Sequence, residues 1–235
     1  NQTNLKLLEL DKFKKDMTKM MVHDLKNPLS NIIGFMQLPE ITEKTRQLVY
    51  ESGKQMQSLI QNILDVTKYQ DIKLKTKPVK IPLSDLVRAA YQHNEYGITL
   101  RDMIFENKID RDIILKVDKD LITRVIANII SNATKYVNKN GLIRISSELF
   151  EGQDGHYCKI NIYNNGKFIP EDKLEVIFDI YHQIYSPEGE YNYSSGIGLT
   201  FSKMAVEAHG GKIGAISKEN EGVTFWFTVP VSGKQ

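Results

Sequence analysis

The sequence holds a single cysteine, Cys158, so no disulfide within the chain is possible and a disulfide-stapled scaffold is excluded. A reducing compartment is the expected setting. No apolar run approaches the roughly 18–20 residues needed to cross a bilayer. Charge of one sign is also missing: 31 basic residues against 29 acidic ones give +2, which makes no electrostatic case for nucleic acid or an anionic membrane as the main partner. No basic-then-apolar leader opens the chain, and a start at Asn1 without Met is what an excised piece would show, with any membrane anchor upstream. Glycine and proline are sparse over residues 1–70, and no strand pattern appears there. What is present is an ordinary globular composition, 41% apolar and 26% charged, in 235 residues, enough for one or two domains.

Leu10, Phe13, Met17, Met20, Met21, Leu25, Leu29, Ile32, Ile33 and Met36 recur at three- and four-residue steps and predict a first helix, ended by Pro39. Leu48, Met56, Leu59, Ile60, Ile63 and Val66 predict a second, with small Ser52 filling the gap in its stripe. One hairpin of two helices buries little apolar surface. Pairing with a second copy as a four-helix bundle covers both stripes; docking onto the rest of the same chain is the other solution. After the polar break near Tyr69–Pro78 the texture changes to α+β. Strands are expected at "KPVKIP", 114–118, 141–150, 156–164, "GGKIGAISKE" and "GVTFWFTVP". Helices are expected at 83–93, 119–137, 171–177 and about 198–209. Strands and helices do not alternate strictly, so one mixed sheet covered by helices on one face is the expected architecture.

His23 falls off the apolar stripe of the first helix, in line with Asp16, Lys19, Lys26, Asn27 and Ser30. An exposed neutral imidazole is nucleophilic near neutral pH. Asp24 is an adjacent proton acceptor, and Asn27 lies one turn on. Pro28 removes a backbone donor beside the reactive group. On the helix 119–137, Asn128, Asn132 and Lys135 follow at i, i+4 and i+7, away from the apolar face. Amide oxygens suit magnesium, and a lysine suits phosphate. Tyr136 offers a flat ring. "YNNGKFIP" turns at Gly166, and "SSGIGLTFSK" runs glycines into a helix start, where backbone N–H groups and the helix dipole favour an anion.

Taken in order, these segments resemble a bacterial sensor histidine kinase over about 13–230. "MMVHDLKNPLSNIIGF" is similar to the family's phosphoacceptor box and "NIISNATKY" to its asparagine box. "NNGKFIP" stands at the first glycine box, "IFDIYHQ" at the phenylalanine box and "SSGIGLT" at the second glycine box. The resemblance implies a multidomain α+β fold. Residues 1–72 would be a dimerisation and phosphoacceptor domain, a helical hairpin forming a four-helix bundle as a homodimer. Residues 73–235 would be an ATP-binding α/β sandwich of the Bergerat type. It implies His23 as phosphoacceptor, Asp24 as proton acceptor and Asn27 as the residue that orients water when the partner is dephosphorylated. Asn132 would bind magnesium (Mg2+), with Asn128 nearby. Lys135 would meet phosphate and Tyr136 the nucleotide, while Gly196 and Gly198 would lie at the triphosphate beside a lid over 179–197. Asn164, Gly166, Ile169, Leu199 and Thr224 complete the expected ATP site. The implied partner is a response regulator receiver domain, and the implied setting is the cytoplasmic portion of an inner-membrane sensor.

Three departures carry consequences. Asn164 replaces the aspartate expected to read the adenine amino group, Phe168 replaces a glycine, and Gln183 replaces an arginine. Each lost charge-assisted contact costs about 1.5–3 kcal/mol. They leave open an alternative, a degenerate or phosphatase-biased regulator with weak or absent nucleotide binding.

Overall fold

The computed structural model describes residues 18, 22, 25–69, 75–109, 113–137, 139–152, 155–179 and 197–232. The chain divides into two compact units, one helical and one built on a sheet.

In the helical unit α1 is continuous over 25–36, with Pro28 inside it, and α2 spans Glu43–Tyr69. Thr42 Oγ1 accepts the Thr45 N–H at 3.2 Å, the side-chain cap that starts α2 in place of a missing intrahelical partner. Ser52, the small residue in the stripe, is buried, and its hydroxyl donates to the Leu48 carbonyl at 2.8 Å. The first half of the expected stripe, from Leu10 to Met21, lies outside the described residues.

The second unit begins with β1 (Val79–Pro82), α3 (Leu83–Leu100), β2 (Ile104–Lys108), β3 (Ile114–Val117) and α4 (Lys119–Tyr136). It continues with β4 (Leu142–Gly152), β5 (Gly155–Asn164), two single 3₁₀ turns at Glu171–Lys173 and Val176–Phe178, α5 (Ile197–Ala208), β6 (Ile213–Lys218) and β7 (Gly222–Pro230). Five strands form one mixed sheet in the order β2-β4-β5-β7-β6, with only β2 and β4 parallel. β1 and β3 make a separate antiparallel ribbon, tied to the end of β7 by a bridge between Leu115 and Val231.

Period-two alternation sorts the strand residues. Ile143, Ile145, Cys158, Ile160, Ile162, Val223, Phe225 and Phe227 are buried on one face. α4 lies on that face against β4 and β5, and α3 packs on α4. Ile122, Val125, Ile126, Ile129 and Ile130 of α4 are fully enclosed. Three positions differ from the sequence reading. α3 runs to Leu100, because Ile98 is buried at 3% exposure and carries the helix past Gly97. β2 is an additional edge strand. The expected helix at 171–177 is two 3₁₀ turns, since Pro170 and the short apolar set support only local i→i+3 bonds.

Candidate functional site

α4 is the axis of the site. Asp118 caps its start, accepting from Asp120 N–H at 3.1 Å and Leu121 N–H at 3.2 Å, while its other oxygen accepts the Lys77 N–H at 2.9 Å. His209, at the end of α5, accepts the Asp118 N–H on Nε2 at 2.9 Å, and its Nδ1 faces the Ala205 carbonyl at 2.6 Å. The first ring nitrogen must therefore be bare and the second protonated. At the far end, the Arg101 guanidinium donates to the Thr134 carbonyl. Asn94 Nδ2 joins α3 to α4 through the Ala90 and Ala127 carbonyls at 2.9 and 3.2 Å.

With the apolar face of α4 fixed to the sheet, Asn128, Asn132, Lys135 and Tyr136 stand along its other side, none fully buried. Asn128 Nδ2 donates to the Gly198 carbonyl at 3.3 Å, which brings the first turn of α5 against α4 and leaves the Asn128 amide oxygen for other work. A Cβ on Gly198 would meet Asn128 Cγ at 3.6 Å, an ordinary contact. Leu199 is half-buried in the same turn. Thr200 Oγ1 donates to the Asp179 carbonyl at 3.0 Å and Lys203 Nζ lies 3.2 Å from Asp179 Oδ1, so the backbone at Asp179 is held at the start of α5.

The other end of the site is made by backbone. Asn164, the last residue of β5, is 3% exposed, and its Oδ1 accepts the Gly166 N–H at 3.1 Å. A Cβ on Gly166 would fall 2.7 Å from Asn164 Oδ1 and 2.7 Å from the Tyr136 carbonyl oxygen, so only glycine fits where the loop crosses the end of α4. Ser217 Oγ accepts the Ile169 N–H at 2.8 Å and donates to the Gly222 carbonyl at 3.2 Å, which fixes Ile169 beside the same corner. Asn128 and Tyr136 are about 12 Å apart along the helix axis, so the two ends are separated on the scale of a nucleotide.

The structure moves one expected residue away. Thr224 pairs with Tyr163 and Ile216, whereas Asn164 pairs with Val223. Adjacent residues of a strand point to opposite faces, so Thr224 stands on the sheet face away from α4 and cannot share the Asn164 side. Phe168 is 46% exposed. His23, Asp24, Gln183 and Gly196, and the expected lid apart from its ends, lie outside the described residues. Asn27 is half-buried, with Nδ2 enclosed and unpartnered. Ser217, Asn165 and His209 were missed in the sequence. Asn165 Oδ1 accepts the Leu142 N–H at 2.7 Å and secures the start of β4; the doubled asparagine at a strand exit was its only signal.

The residues present fit a magnesium–nucleotide ligand. Among the described residues no three His, Cys, Asp or Glu side chains gather, so the hard donors offered along α4 are the amide oxygens of Asn128 and Asn132.

Two family models match the chain in order: the His Kinase A (phospho-acceptor) domain over residues 13–72, and the histidine kinase-, DNA gyrase B- and HSP90-like ATPase over residues 117–233. The chain belongs to the sensor histidine kinases. This sensor kinase core is 26% identical over its whole length to the autoinducer 2 sensor kinase/phosphatase LuxQ of Vibrio parahaemolyticus, of which it covers 29%. The chain thus spans under a third of the length of that relative. The catalytic domain of histidine kinase ThkA is 27% identical, with a TM-score of 0.56 over 66% of this chain and 95% of that one. A structure of ThkA in complex with the response regulator TrrA matches 98% of this chain and 66% of that one, with a TM-score of 0.64 and 23% identity, a likeness of fold. No helix among the described residues is long and apolar enough to cross a membrane.

Proposed function

We propose that this kinase core phosphorylates its own His23 from magnesium–ATP and hands the phosphoryl group to an aspartate of a response regulator receiver domain. The observation that carries the reading is the alignment on α4 of two ends of one site: Asn128 with Gly198 at one, Tyr136 with Asn164 and Gly166 at the other. The domains would be 1–72 for dimerisation and phosphotransfer and 73–235 for ATP.

In the first transfer a nitrogen of His23 attacks the γ-phosphorus, the N–P bond forms, and the bond to the bridging oxygen breaks with its electron pair leaving on ADP. Asp24 takes the ring proton. In the second transfer the N–P bond breaks as the aspartate oxygen takes the phosphoryl group. Asn132, with Asn128, would hold magnesium, which when bound neutralises charge on the phosphate oxygens. Lys135 meets phosphate as a point charge, and the first turn of α5, at Ile197 and Gly198, offers backbone N–H groups to it, with Gly196 the residue that the resemblance adds there. Ile169 and Leu199 line the nucleotide. Asn27 orients water when the regulator is dephosphorylated. The complex of ThkA with TrrA supports a receiver-domain partner. The apolar stripes of α1 and α2 support a homodimer, and the setting we propose is the cytoplasmic portion of a membrane sensor. Nothing in the geometry favours the degenerate regulator.

The test is incubation with magnesium and γ-labelled ATP, beside His23→Ala and Asn132→Ala. Acid-labile label is expected on the wild type, none on His23→Ala, and a loss of roughly tenfold or more on Asn132→Ala. Label that survives His23→Ala, or none on the wild type, overturns the reading.

A further inference from the structure

Asn164 is held unusually firmly for a polar side chain. It is 3% exposed and boxed in by backbone, with Gly166 on one side and Gly222 on the other; a Cβ on Gly222 would collide with the Asn164 carbonyl. The Gly166 N–H donates to Oδ1 at 3.1 Å. That bond fixes the direction of the amide, because turning it by half a rotation would set Nδ2 against the Gly166 N–H, donor on donor. Nδ2 is therefore the outer tip, and no described residue accepts from it. The tip opens beside the end of α4, at the Gly166 corner, so its hydrogens face outward while Oδ1 is anchored.

A carboxylate at this position would offer acceptors only. The anchored carboxamide offers a donor, with one remaining lone pair on Oδ1 beside it. On a purine the difference is read at position 6. Adenine carries an amino donor there, flanked by a bare N1. Guanine and hypoxanthine carry a carbonyl acceptor, flanked by an N1–H donor. The 6-oxo pair matches Nδ2 and Oδ1 directly: Nδ2 donates to O6, and N1–H donates to Oδ1. Adenine in the same pose sets its amino group against Nδ2; displaced along the amide it makes one bond, its amino group donating to the remaining lone pair of Oδ1 or its N1 accepting from Nδ2, where the 6-oxopurine makes two.

We propose that Asn164 is a specificity-determining residue that sets this site for 6-oxopurine nucleoside triphosphates, which bind at least as tightly as ATP. The inference rests on the reading above that Asn164 and Gly166 line the base end of a nucleotide site. Phosphoryl transfer to His23 would then run from either triphosphate.

Inosine triphosphate is the probe, since its base differs from that of ATP only at position 6 and N1. The full chain, with magnesium, is loaded with a fluorescent trinitrophenyl nucleotide and displaced by ATP or by inosine triphosphate, for the wild type and for Asn164→Asp. The carboxylate still accepts the Gly166 N–H, so the variant keeps its anchor; a thermal melt checks its fold. The wild type is expected to bind inosine triphosphate with a Kd equal to or below that of ATP. Asn164→Asp is expected to move the ratio about tenfold toward ATP. A wild type that prefers ATP by tenfold, or a ratio unmoved in a folded Asn164→Asp, overturns the proposal while leaving the kinase reading intact. If Asn164→Asp does not fold, the wild-type ratio decides alone. If neither nucleotide displaces the probe and His23 takes no label, the nucleotide site itself is wrong and both fall.

Discussion

The two units of this chain treat their apolar residues differently. In the sheet unit Ile122, Ile126, Ile129, Ile130, Phe201 and Phe227 are all 0% exposed, and the core is closed by the unit's own strands and helices. In the helical unit Leu29 is 46% exposed, Ile33 49%, Met36 54% and Ile60 44%. Both stripes have the same periodicity in sequence, yet only one is covered. Two helices cannot enclose a stripe that a sheet and three helices can. The sheet unit's stability is therefore internal, whereas the uncovered stripe of the helical unit is what the proposed second copy would cover.

Truncation separates the two most strongly. Ile129→Ala removes packing from a closed core and is expected to cost about 2–5 kcal/mol, read as a fall in the urea midpoint. Ile33→Ala is expected to cost less than half of that in dilute protein. Its effect should appear instead as weaker association, with the sedimentation coefficient falling toward the monomer while the melting of the sheet unit stays put. Equal losses from the two variants at every protein concentration would erase the comparison and remove the case for a second copy.

Asp118→Ala sharpens it from inside the sheet unit. Its carboxylate holds the first turn of α4 and the Lys77 N–H together, and loss of such a cap is expected to cost about 0.5–2 kcal/mol, confined to the sheet-unit transition. A shift in the dimer equilibrium without a change in that transition would show that the two units are not energetically separate.

Much of this arrangement was legible beforehand because it is periodic or local. The stripe of α4, the antiparallel β4–β5 pair and the glycine at 166 all announce themselves by spacing or turn chemistry. What stayed hidden depends on partners distant in sequence. β2 drew no strand assignment, because "IFENK" is too short to show its own alternation and is a strand by lying parallel beside β4. His209 and Ser217 work by holding the backbone of Asp118 and Ile169, pairings that no local pattern encodes. Thr224 was placed by resemblance, and one residue of register moved it to the other face of the sheet.

That other face supplies the smallest expected effect. Arg144 Nε donates to Glu106 Oε2 at 2.6 Å, and this bond holds the Glu106 carboxyl below the ordinary carboxylate range. Glu148 is lowered by the hydrogen bond from Asn161 and then by Lys159. A carboxyl lowered in the folded state adds stability that is present above its unfolded value, about 4.3, and is lost as pH falls through the folded value. The urea midpoint of the sheet unit should therefore decline below about pH 4.5, and the decline should be shallower in Glu106→Gln/Glu148→Gln. Cys158 gives an independent readout: burial, with the Glu148 charge, pushes its thiol up to about 12, so thiol reagents should reach it only as the sheet opens. If its labelling rate with a disulfide reagent active in acid, taken relative to a free thiol at the same pH, rises on acidification in the wild type but much less in the double variant, the two ion-paired glutamates hold the sheet closed. A rise of equal size in both would show that other groups, such as the capping carboxylate of Asp118, carry the acid sensitivity.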